Sequence, residues 1–287
     1  MHLEEGMDFV KLNKTQFETV VKWAEKEGWN PGINDAEVFW QMDPDGYYGV
    51  LKDGEIIASG SIVSYNGEFG FMGFFIVKPE YRSKGLGRKL WNKRKELLIS
   101  RLKENAPIGM DGVVDMQPFY NKGGFVLSHR DVRMEGTSKM YPVSEHVSKV
   151  QDSDIEEILN YDKECFGYER KTFITNWIAQ SNAKTFVYRK GEALQGFAVI
   201  RKAVSGYKIG PLFADNIDIA EELFKACSAM ADGDLIYLDI PLINKSASEL
   251  ANKFSLKECF ECGRMYFGPI PEIPMEKVFG VTTFELG

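Results

Sequence analysis

The residues best suited to chemistry begin with Arg82-Ser83-Lys84-Gly85-Leu86-Gly87, followed directly by Arg88. Gly85 and Gly87 let a backbone turn tightly and come close to a ligand. Ahead of them, Phe71-Met72-Gly73-Phe74-Phe75-Ile76-Val77 is an apolar run of strand length, closed by Pro79, which cannot donate to a sheet. Behind them, Leu90, Trp91, Arg94, Leu97 and Leu98 have the spacing of an amphipathic helix. Strand, glycine loop and helix N-terminus make an anion site, because free amides and the positive end of the helix dipole converge on the loop. From Arg82 to Lys95 the charges are all cationic, in a chain of net charge −7. A solvated helix face would account for the charge alone; the strand and paired glycines turn the reading toward phosphate. No G-x-x-x-x-G-K-[ST] string is present, and a dinucleotide fingerprint needs a glycine where Leu90 stands.

Other candidates lie further along. Asp111 sits among apolar neighbours in the strand-like segment 106–115, where burial would lift its pKa toward that of a general base. Glu68 and Asp115 are alternatives, and a water chain with no dedicated base is equally open, since Phe69 to Val77 carries no carboxylate. Trp29 and Asn30, in the turn Gly28-Trp29-Asn30-Pro31-Gly32, and Tyr168, in Cys165-Phe166-Gly167-Tyr168, are expected either to wall an acceptor pocket or simply to pack turns. Asp43 and Asp45 flank Pro44 and read as turn residues. Cys259-x-x-Cys262 is a lone pair, and His2, His129 and His146 are not spaced to complete a metal site, so no metal is expected. The cysteines read as thiols of a reducing compartment, the cytoplasm.

These residues need elements to hold them. Thr15 and Glu18 form a capping box for a first helix, and Asn34 with Glu37 caps a second. Asp53-Gly54 joins two strands in a hairpin. After the basic helix come a strand, a short helix over 118–125 and a last strand from Val126 to Glu135. The pattern then repeats: Ser153 and Glu156 cap a helix, a hairpin turns at Lys190-Gly191, and a helix spans Ile217 to Met230. Asp239 in Leu238-Asp239-Ile240 lines up with Asp111 in Met110-Asp111-Gly112. Ala214-Asp215-Asn216-Ile217 stands where the glycine loop would fall, and its aspartate would repel a phosphate. One anion site is therefore expected, in the first half. At 287 residues and 44% hydrophobic content the chain has room for two domains, no apolar run approaches a membrane span, no signal peptide is evident, and the acidic balance argues against nucleic acid.

Val77-x-Pro79-x-x-Arg82-x-x-Gly85-x-Gly87 resembles motif A of the GNAT (GCN5-related N-acetyltransferase) superfamily, and Tyr120-x-x-Gly123-Gly124-Phe125 is similar to its Y-x-x-x-G-F. The resemblance covers residues 8–135. It implies an α/β (α+β) fold of tandem GNAT units, each a mixed, mostly antiparallel sheet flanked by helices, the second unit degenerate. The expected division is a catalytic domain over 1–136, a linker over 137–150 and a GNAT-like domain over 151–287. The resemblance further implies acetyl-CoA as co-substrate. Its pyrophosphate would lie on Arg82, Ser83, Lys84, Gly85, Leu86, Gly87 and Arg88, its carbonyl on backbone amides among Phe75, Ile76 and Val77, and its departing thiolate would take a proton from Tyr120. The expected acceptor is the primary amine of a small molecule. An acyl-CoA-binding sensor or scaffold, or an acetyltransferase of protein or peptide amines, are the alternatives, and a monomer is the expected state.

Overall fold

The computed structural model describes residues 4–287; His2 lies outside them. The first half runs β1 (Met7–Lys11), α1 (Lys14–Lys26), α2 (Asp35–Met42), β2 (Tyr47–Lys52), β3 (Glu55–Ser61), β4 (Val63–Tyr65), β5 (Phe69–Phe71), β6 (Ile76–Val77), α3 (Leu86–Ser100), β7 (Ile108–Val113), α4 (Gln117–Lys122) and β8 (Val126–Thr137). The second half has β9 (Val147–Lys149), α5 (Ile155–Phe166), α6 (Lys171–Ile178), β10 (Ala183–Lys190), β11 (Ala193–Lys202), β12 (Tyr207–Ala214), α7 (Ile217–Ala231), β13 (Leu235–Pro241), α8 (Lys245–Lys253), β14 (Lys257–Phe267) and β15 (Val278–Gly280). It is a mixed α/β structure with mostly antiparallel pairing, as expected.

The strand expected from Phe71 to Val77 is broken. Residues 72–75 leave the sheet, with Phe74 in the left-handed region at φ 48°. On one side of the break β6 pairs antiparallel with β3 in a sheet of order β1-β2-β3-β6; on the other, β5 pairs parallel with β7 in a second, larger sheet. The two sheets part at this point and leave a wedge. In the second half the corresponding wedge is filled: β15 pairs with β12, and the Val281 amide donates to the Asp239 carbonyl on β13 at 2.8 Å.

The halves are not separate bodies. The larger sheet has the order β4-β5-β7-β14-β8-β13-β12-β11-β10-β9, so each half hands its long late strand to the other. β14, from the second half, lies between β7 and β8; β8, from the first, pairs with β13. The exchange aligns two ion pairs of reciprocal form. Arg133 on β8 grips Asp239 on β13 through two hydrogen bonds of 2.6 and 2.8 Å, and Arg264 on β14 grips Asp111 on β7 at 2.7 and 2.9 Å. The largest apolar core also crosses the boundary, with Phe39 of α2 stacked on Trp177 of α6 at 5.9 Å between ring centres. Burying each such aromatic ring contributes about 2–3 kcal/mol, which holds the halves in one geometry.

Local punctuation differs from expectation in several places. The first helix is capped by Asn13, whose side chain accepts from the Gln16 amide while the Gln16 side chain accepts from the Asn13 amide, two residues before the Thr15–Glu18 box. Asn34 makes no side-chain cap; Asp35 instead accepts from the Gly32 amide at 2.7 Å and from Arg201 at 2.9 Å. The box before α5 is Gln151 with Asp154, not Ser153 with Glu156. Val147–Lys149, expected as linker, add β9 to the edge of β10.

Candidate active site

The loop after β6 has a geometry that could receive an anion. Ser83 and Gly85 both take positive φ (61° and 81°), which curls the chain so that successive amides face one way. Gly85 is the N-cap of α3 and supplies no side-chain acceptor, so the first-turn amides are left for a ligand. A Cβ on Gly87 would lie 3.3 Å from the Phe75 ring, close enough to narrow the approach. Arg82 is held over the loop by Glu27 and by the Val77 carbonyl, which its Nε reaches at 2.8 Å. Lys84 and Arg88 stay exposed, while the Leu86 side chain packs into the core with Val50, Ile57 and Leu90 and offers the loop only its backbone.

The break at 72–75 is fixed from three directions. Arg94 of α3, fully buried, donates to the carbonyls of Ser61 (2.6 Å) and Gly73 (3.0 Å); burial lowers its pKa to about 9. The Ser61 hydroxyl accepts from the Gly73 amide at 2.9 Å. The C-terminal segment presses from the far side: a Cβ on Gly73 would fall 2.2 Å from the Glu285 carbonyl oxygen. Only glycine fits here, which is the physical reason no side-chain carboxylate occupies this part of the strand.

A cleft of about 480 Å³ opens from this wedge. One end is formed by Arg82, Ser83, Gly87, Phe75, Ile76 and Val77, and Tyr120 and Trp91 line its side. The other end belongs to the exchanged strands and the C-terminal segment, through Arg133, Phe260, Cys262, Phe284 and Glu285, with Trp29 and Asp111 completing the wall. Burial pushes Tyr120 up to about 12, so it keeps its proton at neutral pH and can give it away. Arg133 lies over the rings of Phe284 (5.3 Å) and Phe260 (5.7 Å) and donates to the Trp29 carbonyl at 2.7 Å, tying three aromatic walls to one guanidinium.

Asp111 is clamped rather than free. Burial raises its pKa as expected, but both carboxylate oxygens are taken by Arg264, just as Asp239 is taken by Arg133. Asp111, Asp131 and Cys262 come within 4.8 Å of one another, yet the Arg264 guanidinium already supplies the cation. Asp131 is fully buried with no hydrogen-bond partner among the described residues; burial and neighbouring Asp111 push its pKa well above the carboxylate range. The other base candidates lie outside the cleft, Glu68 paired with Lys103 and Asp115 exposed. So do two of the three expected acceptor residues. Asn30 is locked by a two-way bond to the Ser205 backbone (2.8 and 2.9 Å), and Tyr168 stacks on Phe69 at 4.7 Å; both join the halves as packing groups. Asp43, read as a turn residue, is buried and bound by Arg101 at 2.7 and 2.8 Å.

The sequence reading did not single out Arg133, Phe260, Phe284 or Glu285. A signal was available for the arginines: Arg133-Met134 and Arg264-Met265 repeat in the last strands of the two halves, opposite Asp239 and Asp111.

Residues 9–125 match the model of the GNAT acetyltransferase family, and residues 158–280 match a second GNAT acetyltransferase-domain model. The chain is a tandem GNAT acyltransferase. Among similar proteins is the holothin acyltransferase of a Pseudoalteromonas species, 28% identical over 95% of this chain and 92% of that one. An uncharacterized N-acetyltransferase of Bacillus subtilis is 23% identical over 82% of each. Among solved structures, a presumed acetyltransferase from Pyrococcus horikoshii superposes with a TM-score of 0.85 at 22% identity, covering 100% of this chain and 98% of that one. A tandem GNAT protein from the clavulanic acid biosynthesis pathway gives 0.65 at 13% identity, covering 92% and 99%. These two likenesses carry the fold, and with the two family models they establish the tandem architecture of this GNAT protein.

Proposed function

We propose that this GNAT protein transfers an acetyl group from acetyl-CoA to the primary amine of a small, largely apolar molecule. The observation that carries the reading is the continuity of the cleft: the anion loop and Tyr120 open into the same space as Trp29, Phe260, Phe284 and Glu285. An acyl-CoA bound there supplies an electrophilic carbonyl and a thiolate leaving group. The first-turn amides of α3, with Ser83, Gly85, Gly87 and Arg82, would hold its pyrophosphate; Lys84 and Arg88 add charge at the rim, and Leu86 contributes its amide. Backbone amides of Phe75, Ile76 and Val77 border the wedge where charge develops on the carbonyl oxygen. Tyr120 is the donor for the thiolate.

The acceptor end favours a small molecule over a peptide. It is roofed by strands and a C-terminal segment of the second half, and its walls are aromatic around Arg133. The relative named for holothin acylation is similar over nearly the whole of both chains, which agrees with acyl transfer. We take 1–136 and 151–287 as the duplicated units joined by 137–150, acting as a monomer, with strand exchange inside the chain standing in for pairing between chains. Among the described residues no helix is long and apolar enough to cross a membrane. The four unpaired cysteines fit a reducing compartment, the cytoplasm.

The test is thiol release from acetyl-CoA across a panel of alkyl-, aryl- and heteroaryl-amines, alongside peptides with free N-termini. Amine-dependent release confined to small apolar amines is the expected result. Tight acetyl-CoA binding with no release from any acceptor would make the protein a sensor, and release with peptides alone would move the acceptor class.

A further inference from the structure

Three carboxylates line the cleft, and two are spoken for: Glu27 by Arg82, and Asp111 by two nitrogens of Arg264. Glu285 is different. It is buried at 4% exposure, one oxygen accepts from the Thr283 hydroxyl, and the other has no protein donor among the described residues. Its backbone is held firmly. The Tyr65 hydroxyl donates to the Leu286 carbonyl at 2.7 Å, Arg170 to the Gly287 carbonyl at 2.8 Å, and the Gly287 amide to the Thr283 carbonyl at 3.1 Å. Gly73, in the strand position that lacks a carboxylate, makes room for this segment, since any Cβ there would meet the Glu285 carbonyl. The first half carries no carboxylate on this strand, and the second half brings Glu285 to the break and into the lining of the cleft.

Resting on the function proposed above, we infer that Glu285, carried into the first half's wedge by the C-terminal segment, is the proton acceptor for the incoming amine. Its carboxylate takes one proton from the ammonium form, leaving a neutral nitrogen whose lone pair forms the bond to the thioester carbonyl carbon. The carbon–sulfur bond breaks with its electron pair on sulfur, which receives the Tyr120 hydroxyl proton. The second nitrogen proton passes to water, Glu285 returns its proton to solvent and Tyr120 regains one, so each turnover releases one proton. Asp111 on β7, Arg133 on β8 and Lys208 on β12 are the charged groups around it. Burial and Arg133 lower Lys208 to about 8, so Lys208 is the control for any pH effect.

The experiment compares wild type, Glu285→Gln and Glu285→Asp with two acceptors of similar size, 2-phenylethylamine and 4-ethylaniline. The first is an ammonium at pH 7 and needs a base; the second is already neutral. Glu285→Gln should slow the alkylamine by on the order of 10²-fold, with the deficit closing as pH rises, and slow the arylamine far less. Glu285→Asp should restore part of the alkylamine rate, and acetyl-CoA affinity should stay within about twofold in both variants. Equal slowing of both amines, or a deficit that ignores pH, overturns the inference while leaving the function intact. A pH effect that follows Lys208→Met instead of Glu285→Gln also overturns it. A wild type that binds acetyl-CoA but acetylates neither amine overturns the functional reading on which it rests.

Discussion

Replacing Gly87 by aspartate tests the anion loop without dismantling the fold. Gly87 sits in the first turn of α3 with ordinary helical backbone, and its added Cβ meets the tip of the Phe75 ring at 3.3 Å, which can yield by a few tenths of an ångström, and Val77 at an ordinary 3.6 Å. A carboxylate near a helix N-terminus stabilises the empty protein by about 0.3–1 kcal/mol. Against a bound phosphate the sign reverses. At about 5 Å and an effective dielectric of about 20, the repulsion is about 3 kcal/mol per charge pair, on the order of 10²-fold in Kd. At an acetyl-CoA concentration about 100 times the wild-type Kd, wild type should gain about 2.7 kcal/mol and the variant about 0.4 kcal/mol. Calorimetric titration gives the affinities, and thermal unfolding with and without ligand gives the linkage. An unfolded variant is not expected. Full affinity in a folded Gly87→Asp protein would refute the placement of the pyrophosphate.

Three further substitutions probe the cleft and the buried charges behind it. Tyr120→Phe should lower kcat by about 10²-fold with acetyl-CoA affinity unchanged, measured by steady-state thiol release against calorimetry; an unaltered kcat removes Tyr120 from the chemistry. Arg264→Ala leaves Asp111 buried and unpaired and should cost about 3–5 kcal/mol in chemical denaturation, against a fraction of that for an exposed pair such as Lys103–Glu68. Asp131→Asn should stabilise the protein, and the sign follows from titration. The raised folded pKa means that the folded state holds a proton which the unfolded chain has lost above about pH 4, so stability falls as pH climbs past that point. The asparagine removes this penalty. Its gain in Tm should be absent at pH 3 and grow toward pH 7; a pH-independent gain would contradict it.

The donor side of the site was legible because its parts are contiguous: β6, the loop and α3 follow one another in sequence, and Tyr120 lies in a short motif. Most elements were legible for the same reason, from periodicity, glycines and hairpin turns. The acceptor side was not. Arg133, Phe260, Phe284 and Glu285 reach the cleft through an exchange of β8 and β14 and the return of the C-terminal segment, pairings that no local pattern encodes. The broken strand was missed because an apolar run such as Phe71 to Val77 reads alike whether or not its middle leaves the sheet, and what breaks it is a distant carbonyl at Glu285. Asn30 and Tyr168 misled for a related reason: aromatic and amide turn residues serve equally to line a pocket or to weld two halves. The helix caps shifted because Asn13 and Gln151 start the helical turns two residues earlier, which leaves Thr15 and Ser153 inside them.

The central claim is that the cleft joins an acyl-CoA site to an amine site and moves the acyl group between them. Quantitative mass spectrometry of one reaction mixture, with thiol and N-acetyl amine measured together, tests it most directly. One molecule of N-acetylated amine is expected for each thiol released, dependent on the protein. Thiol released without acylated amine, or acetyl-CoA bound and recovered intact with every acceptor, would contradict it.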